Sequence, residues 1–229
     1  MKLIIFIHTC KLYEESRAKL LENTWAQSNL DVVFITDNPN SLLKNHIYIG
    51  PYKNGPTYHP ENVIKMFNLF LSNYDDYDFY MIIDDDTYLY IDKLKSFLSY
   101  FDKNISYMIG DFLNWPYVYN KNHANNSTFV GDYTDWIGGG PGIVFTKKCI
   151  ISYLALIKQF NIPYINHDVW LHKLYNLSNK KIHNIQRIHC PGFHQYGAEE
   201  LYKQYDTKSN YLISIHLNHN LNLIDKYNL

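Results

Sequence analysis

The sequence predicts an α/β protein with one domain: a mostly parallel central sheet covered by helices on both faces. Two patterns carry that prediction. Continuous apolar runs of strand length alternate with segments whose apolar residues recur at helical spacing, as strands buried on both faces and their covering helices require. The third apolar run also ends directly in Asp84-Asp85-Asp86, at the carboxyl end of a strand, where open α/β sheets place their ligand crevices.

In chain order, Lys2–His8 reads as the first strand. Glu14–Trp25 follows as a helix, with Ala18, Leu21 and Trp25 in phase and Arg17 beside them. Asp31–Thr36 is a second buried strand, closed by the turn residues Asp37-Asn38-Pro39. Pro60–Leu71 is helical in period, with Val63, Phe67 and Phe70 on one face, and Phe79–Ile83 is the third strand. Ile91, Leu94, Leu98 and Phe101 mark another amphipathic helix, and Ser106–Ile109 another strand. Asn114–Thr134 then loses all periodicity; it is rich in Asn, Tyr and Trp, and so long a loop is either functional or disordered. Order returns at Ile137-Gly138-Gly139-Gly140-Pro141-Gly142, followed by a strand at Ile143–Phe145 and a helix with Ile150, Leu154 and Ile157 in phase. A further helix holds Trp170, Leu174 and Leu177, His183–Ile188 reads as a strand, and a polar tail from Glu199 contains one apolar run, Tyr211–Ile215.

Composition narrows the function classes. The 229 residues suffice for a sizeable core without disulfides or a structural metal. Lys+Arg 21 against Asp+Glu 22 argues against a nucleic-acid partner held by a broadly basic surface. The apolar runs are too short to span a bilayer, and no signal-peptide pattern follows Met1. Cys10, Cys149 and Cys190 are odd in number and scattered, which suits a reducing compartment. The expectation is a soluble, cytoplasmic protein. Aromatic residues make up 17% of the chain; rings make platforms for sugars and bases, although Asn, Lys, Ile, Tyr and Phe also share AT-rich codons.

Four short constellations carry chemistry. Three adjacent carboxylates repel one another unless a cation offsets them, and all-oxygen ligands select hard ions such as Mg²⁺ or Mn²⁺. A solvated acidic turn capping the next helix would also explain Asp84-Asp85-Asp86. The glycine-rich 138–142 stretch permits close backbone approach to a ligand, or is simply a tight turn before a strand. Asp168 starts a helix, where an acid is commonly a cap or dipole partner. His194 stands on a Gly-Pro loop after a strand, near His189 and Cys190, without a fourth ligand at zinc spacing.

Taken in order, these segments resemble the Fringe-like and β-1,3-glycosyltransferase family, whose members are inverting GT-A (Rossmann-like) enzymes. The likeness runs from residue 4 to about residue 196 through IHTCKLYEESRAKLLENTW, VVFITD, FYMIIDDDTYLYIDKL, IGGGPGIVFT, HDVWLHKL and GFHQY. It implies one catalytic domain with a nucleotide-binding half (1–112), an acceptor and catalytic half (113–198) and a C-terminal tail (199–229). The resemblance further implies Asp86 and His194 as Mn²⁺ ligands (Mg²⁺ being the alternative), assisted by Asp85 and Asp84. Thr9, Arg17 and Asp37 would lie near the uridine, Lys65 near donor or acceptor, Gly139 and Gly140 against the donor sugar, and Asp168 would be the catalytic base. His167 stands where the family has an acid, and the animal relatives' disulfide cysteines and anchor are missing. The implied reaction moves a sugar from a UDP-sugar to a hydroxyl of a glycan acceptor, forming a β-1,3 link. Trp115, Tyr117, Tyr119 and Trp136 form the candidate acceptor wall. The rivals are a metal-dependent phosphoesterase or nucleotidyltransferase and a non-catalytic sugar-nucleotide-binding module. The composition and the absent anchor suggest a microbial or large-virus source.

Overall fold

The computed structural model describes residues 1–27, 31–52, 60–113, 136–161, 166–177, 184–190, 192–194, 212–217, 219–222 and 224. The Asn114–Thr134 loop, with Trp115, Tyr117 and Tyr119, lies outside the described residues, as does the side chain of Trp136.

Strand β1 (Leu3–His8) is wholly buried and lies between β2 (Val32–Thr36) and β4 (Phe79–Asp84), parallel to both. β3 (His46–Tyr48) extends the sheet beyond β2. On the other side the order continues from β4 to β8 (Ile143–Thr146), β6 (Tyr107–Leu113) and β7 (Trp136–Gly138), while β9 (Gln186–His189) also pairs with β6. β7 and β8 run against the remaining strands, so the sheet is mostly parallel with antiparallel members in one half. A small second sheet joins β10 (Phe193–His194), β11 (Ser214–His216) and β5 (Thr87–Leu89).

Period-two alternation explains why helices cover both faces. Leu3, Ile5 and Ile7 enter one apolar cluster, together with Ala18 and Leu21 of the first helical segment and Leu94 and Leu98 of α3 (Ile91–Leu98). Ile4 and Phe6 point the other way, into a cluster filled by α2 (Pro60–Asn73), α4 (Lys147–Gln159) and α5 (His167–Leu177). Much of the aromatic excess is spent on this second face. Phe6 stacks on Phe70 with centroids 4.0 Å apart, and Phe67 meets Phe145 edge-on at 5.1 Å.

The helix expected at Glu14–Trp25 is shorter and less regular. A π-type turn, Glu14–Ala18, leads into one α-helical turn, α1 (Lys19–Glu22). Such turns are rare and tend to occur at functional sites; this one carries Arg17. Among the described residues, five strands have no counterpart in the sequence reading: β3, β5, β7, β10 and β11. No helix among the described residues is long and apolar enough to cross a membrane.

Candidate functional site

The site forms at the carboxyl ends of β1 and β4, whose register sets His8 beside Asp84. β4 ends on Asp84 and β5 begins on Thr87, so Asp85 and Asp86 fill the turn between the two sheets. All three aspartates are buried, Asp85 completely. Thr9 donates its hydroxyl to Asp85 Oδ2 at 2.7 Å, and Arg17 reaches Asp85 Oδ1 at 3.4 Å while lying on the Tyr13 ring. Asp86 meets a different set of partners. His216 Nε2 lies 3.1 Å from Oδ1, His219 Nδ1 lies 2.6 Å from Oδ2, and the His219 amide donates to Oδ2 at 3.0 Å.

These environments separate three chemically identical side chains. Burial, then the charge of Asp86, pushes Asp84 well above the usual carboxylate range. Burial raises Asp85 to about 7, against the hydrogen bond from Thr9 and the charge of Arg17. Burial also opposes ionisation of Asp86, but the His216 hydrogen bond and the His216, His219 and Arg17 charges outweigh it and hold Asp86 at about 2. Ligand atoms of Asp84, Asp86 and His216 all lie within 4.8 Å of one another. Asp84 Oδ1 is buried with no hydrogen-bond partner among the described residues. A buried, unsatisfied carboxylate oxygen is costly, and a divalent cation would satisfy it. Two carboxylates and one imidazole form a donor set suited to Mn²⁺ or a similar ion, so these residues fit the metal that the sequence implies.

The glycine loop closes the other side of the site. A Cβ on Gly140 would fall 2.6 Å from the His216 ring, and one on Gly139 would fall 2.6 Å from His167 Nε2. Gly142, at φ +105°, lets the chain turn back into β8. Thr87 donates its hydroxyl to the Gly140 carbonyl at 2.7 Å, tying the loop to the turn after the aspartates. Gly140→Ala is therefore expected to displace His216 and weaken metal binding by about 10- to 100-fold. Calorimetric titration with Mn²⁺ checks this; unchanged affinity would mean that the ring has room to move.

Asp168 lies in the first turn of α5, facing the loop. Its Oδ2 accepts the Gly139 amide at 3.3 Å and its Oδ1 accepts the Val169 amide at 2.7 Å. Burial raises its pKa despite the opposing effects of His167 and these amides. Its charge also helps to raise Asp84, which puts both carboxyls in one electrostatic site. A buried carboxylate with a raised pKa is a candidate proton acceptor.

The structure therefore brings together Thr9, Arg17, Asp84, Asp85, Asp86, Gly139, Gly140 and Asp168. Two expected residues have partners outside this cluster. Asp37 accepts the Lys11 amide at 2.7 Å, and Lys65 donates to the Ile49 carbonyl at 2.7 Å. His194 pairs in register with Ile215, one residue short of His216. His216 is the β11 imidazole that meets Asp86. The sequence reading left His216 in a polar tail. Its signal was the apolar run Tyr211–Ile215, which ends directly on that histidine.

His8 adds a pH-dependent term. It is 1% exposed, and burial, aided by the charge of His167, lowers its pKa from 6.5 to about 3. The unfolded chain therefore takes up a proton near pH 6.5 that the folded chain refuses. Stability from neutral His8 is complete above pH 6.5 and is lost as pH falls toward 3. In His8→Gln the slope of unfolding free energy against pH in that window should fall by up to about 1.4 kcal/mol per pH unit. Urea denaturation across the range would refute this if wild type and variant had equal slopes.

Comparison with known proteins adds the following. Among solved structures, an active-site mutant of LgtC aligns over 94% of this chain and 86% of its own, at 12% identity and a TM-score of 0.47. The galactosyltransferase LgtC in complex with donor and acceptor sugar analogues covers the same shares at 13% identity and a TM-score of 0.46. Apo glycosyltransferase GlyE of Streptococcus pneumoniae TIGR4 covers 89% of this chain and 50% of its own, at 11% identity and a TM-score of 0.46. No curated protein matches the sequence. The family model described as Fringe-like matches residues 1–227, a span that takes in every residue of the site, and the chain belongs to the Fringe-like family.

Proposed function

We propose that this chain is a metal-dependent, inverting glycosyltransferase that moves a sugar from a UDP-sugar to a hydroxyl of a glycan acceptor, forming a β-1,3 link. The observation that carries the reading is the juxtaposition of Asp84, Asp86 and His216 with Asp168 across the Gly139-Gly140 loop. Family membership supports glycosyl transfer as the reaction class.

Asp84, Asp86 and His216 would hold the cation, His216 in the role that the resemblance implied for His194. When bound, the cation offsets negative charge on the departing diphosphate. Arg17 and Thr9 fix Asp85 beside it. The missing side chains of Gly139 and Gly140 let the His167 and His216 rings lie against the loop, and the loop backbone is the candidate surface for the donor sugar. Asp168 accepts the proton of the acceptor hydroxyl, which is a poor nucleophile until deprotonated. Attack opposite the leaving group inverts the anomeric centre and needs no covalent enzyme intermediate. Asp37 and Lys65 remain candidates for contacts with uridine and with donor or acceptor. Three buried free thiols are consistent with a reducing compartment, here the cytoplasm.

A panel of UDP-sugars with Mn²⁺ tests the reading. The expected result is UDP release that depends on both the sugar and an added acceptor. Release of free phosphate regardless of the sugar would identify a phosphoesterase instead.

A further inference from the structure

The two oxygens of Asp86 have different surroundings, and one residue accounts for most of the difference. Oδ1 faces His216 Nε2 at 3.1 Å, and Asp86 and His216 belong with Asp84 to the group whose ligand atoms lie within 4.8 Å of one another. Oδ2 is turned away and held by other groups: His219 Nδ1 at 2.6 Å, the His219 amide at 3.0 Å and Arg17 at 3.7 Å. The Leu217 amide anchors the Asp86 carbonyl at 2.8 Å. The segment after β11 thus grips Asp86 through its main chain and through one imidazole.

That imidazole is unusual. His219 is 67% exposed, so burial does not hold it in place. It also adopts φ +67°, a region that non-glycine residues rarely occupy. An exposed ring on a disfavoured backbone gains nothing from packing, yet both its ring nitrogen and its amide address the same carboxylate oxygen.

We infer that His219 is a positioning residue for the cation site: its ring and amide bind Asp86 Oδ2 and so leave Oδ1 to face the metal beside His216 and Asp84. The inference rests on the metal reading proposed above. Partners of this kind fix the orientation of ligating groups without touching the ion.

The backbone conformation supplies a clean test. His219→Gly removes the ring, keeps the amide and relieves the positive φ. His219→Asn restores a short side-chain N–H donor and tolerates the same backbone region. Binding of Mn²⁺ alone is followed by the electron paramagnetic resonance of free Mn²⁺, with thermal unfolding measured in parallel. His219→Gly is expected to bind about 10- to 100-fold more weakly with an unfolding midpoint equal to or above that of wild type, and His219→Asn to recover much of the affinity. Wild-type affinity in His219→Gly, or no recovery in His219→Asn, would overturn the positioning role alone. A wild-type protein that binds no Mn²⁺ would overturn the metal site as well.

Discussion

Asp168→Asn is expected to reduce turnover by about 10²- to 10⁴-fold while leaving UDP and Mn²⁺ binding at wild-type strength. The substitution keeps the shape of the side chain, removes its capacity to accept a proton, and exchanges the oxygen that accepts the Gly139 amide at 3.3 Å for an amide nitrogen. The Asn oxygen can still accept the Val169 amide, now 2.7 Å from Asp168 Oδ1, so the start of α5 should hold its place. Burial has already raised the Asp168 pKa, which makes the carboxylate a stronger proton acceptor than an exposed one. Single-turnover kinetics and calorimetry on the same sample separate the two quantities. Undiminished turnover would remove Asp168 as base.

Asp86→Ala carries the second large effect, and it falls on binding. Asp86 is the point where His216, His219 and Arg17 converge. Its removal deletes a proposed metal ligand and leaves several positive or polarisable groups facing one another without their anion. Metal-dependent UDP binding is expected to disappear, a loss of at least about 100-fold. Stability should fall too, because a buried charge cluster loses its counter-charge. Asp86→Asn separates these effects: it preserves the volume and most hydrogen bonds, and should still bind UDP without response to Mn²⁺. A normal Mn²⁺ response in Asp86→Asn would place the cation elsewhere.

The sheet and the aspartates were legible for a physical reason. β1 and β4 are buried on both faces, so they read as continuous apolar runs, and the abrupt change from Ile83 to Asp84 marks where the sheet ends and the crevice begins. Short edge and bridging strands leave no such trace. β3 is only partly buried, and β5 is three residues long, so neither builds a detectable period. The tail concealed most. Leu212, Ile213, Ile215 and Leu217 are buried, yet polar neighbours on both sides mask them in sequence, and their packing beside β5 depends on contacts more than 100 residues away. That long-range pairing brings His216 to Asp86. The resemblance to the family had implied His194 for that role, and nothing in the residues around His194 argued for or against it. In the small sheet His194 stands beside Ile215, one position short of His216. Asp168 and the glycines needed less context. An acid in a first helical turn and a run of glycines before a strand are local features, and the fold had only to bring them together at the Gly139 amide.

The most direct test of the account is the position of the ion itself. Crystals grown with UDP and Mn²⁺, with diffraction data collected at the manganese absorption edge, would locate it by anomalous scattering. The account requires one strong peak bounded by Asp84, Asp86 and His216, with the diphosphate on its open side. A peak ligated by His194 without His216, or UDP bound with no peak beside Asp86, would contradict it.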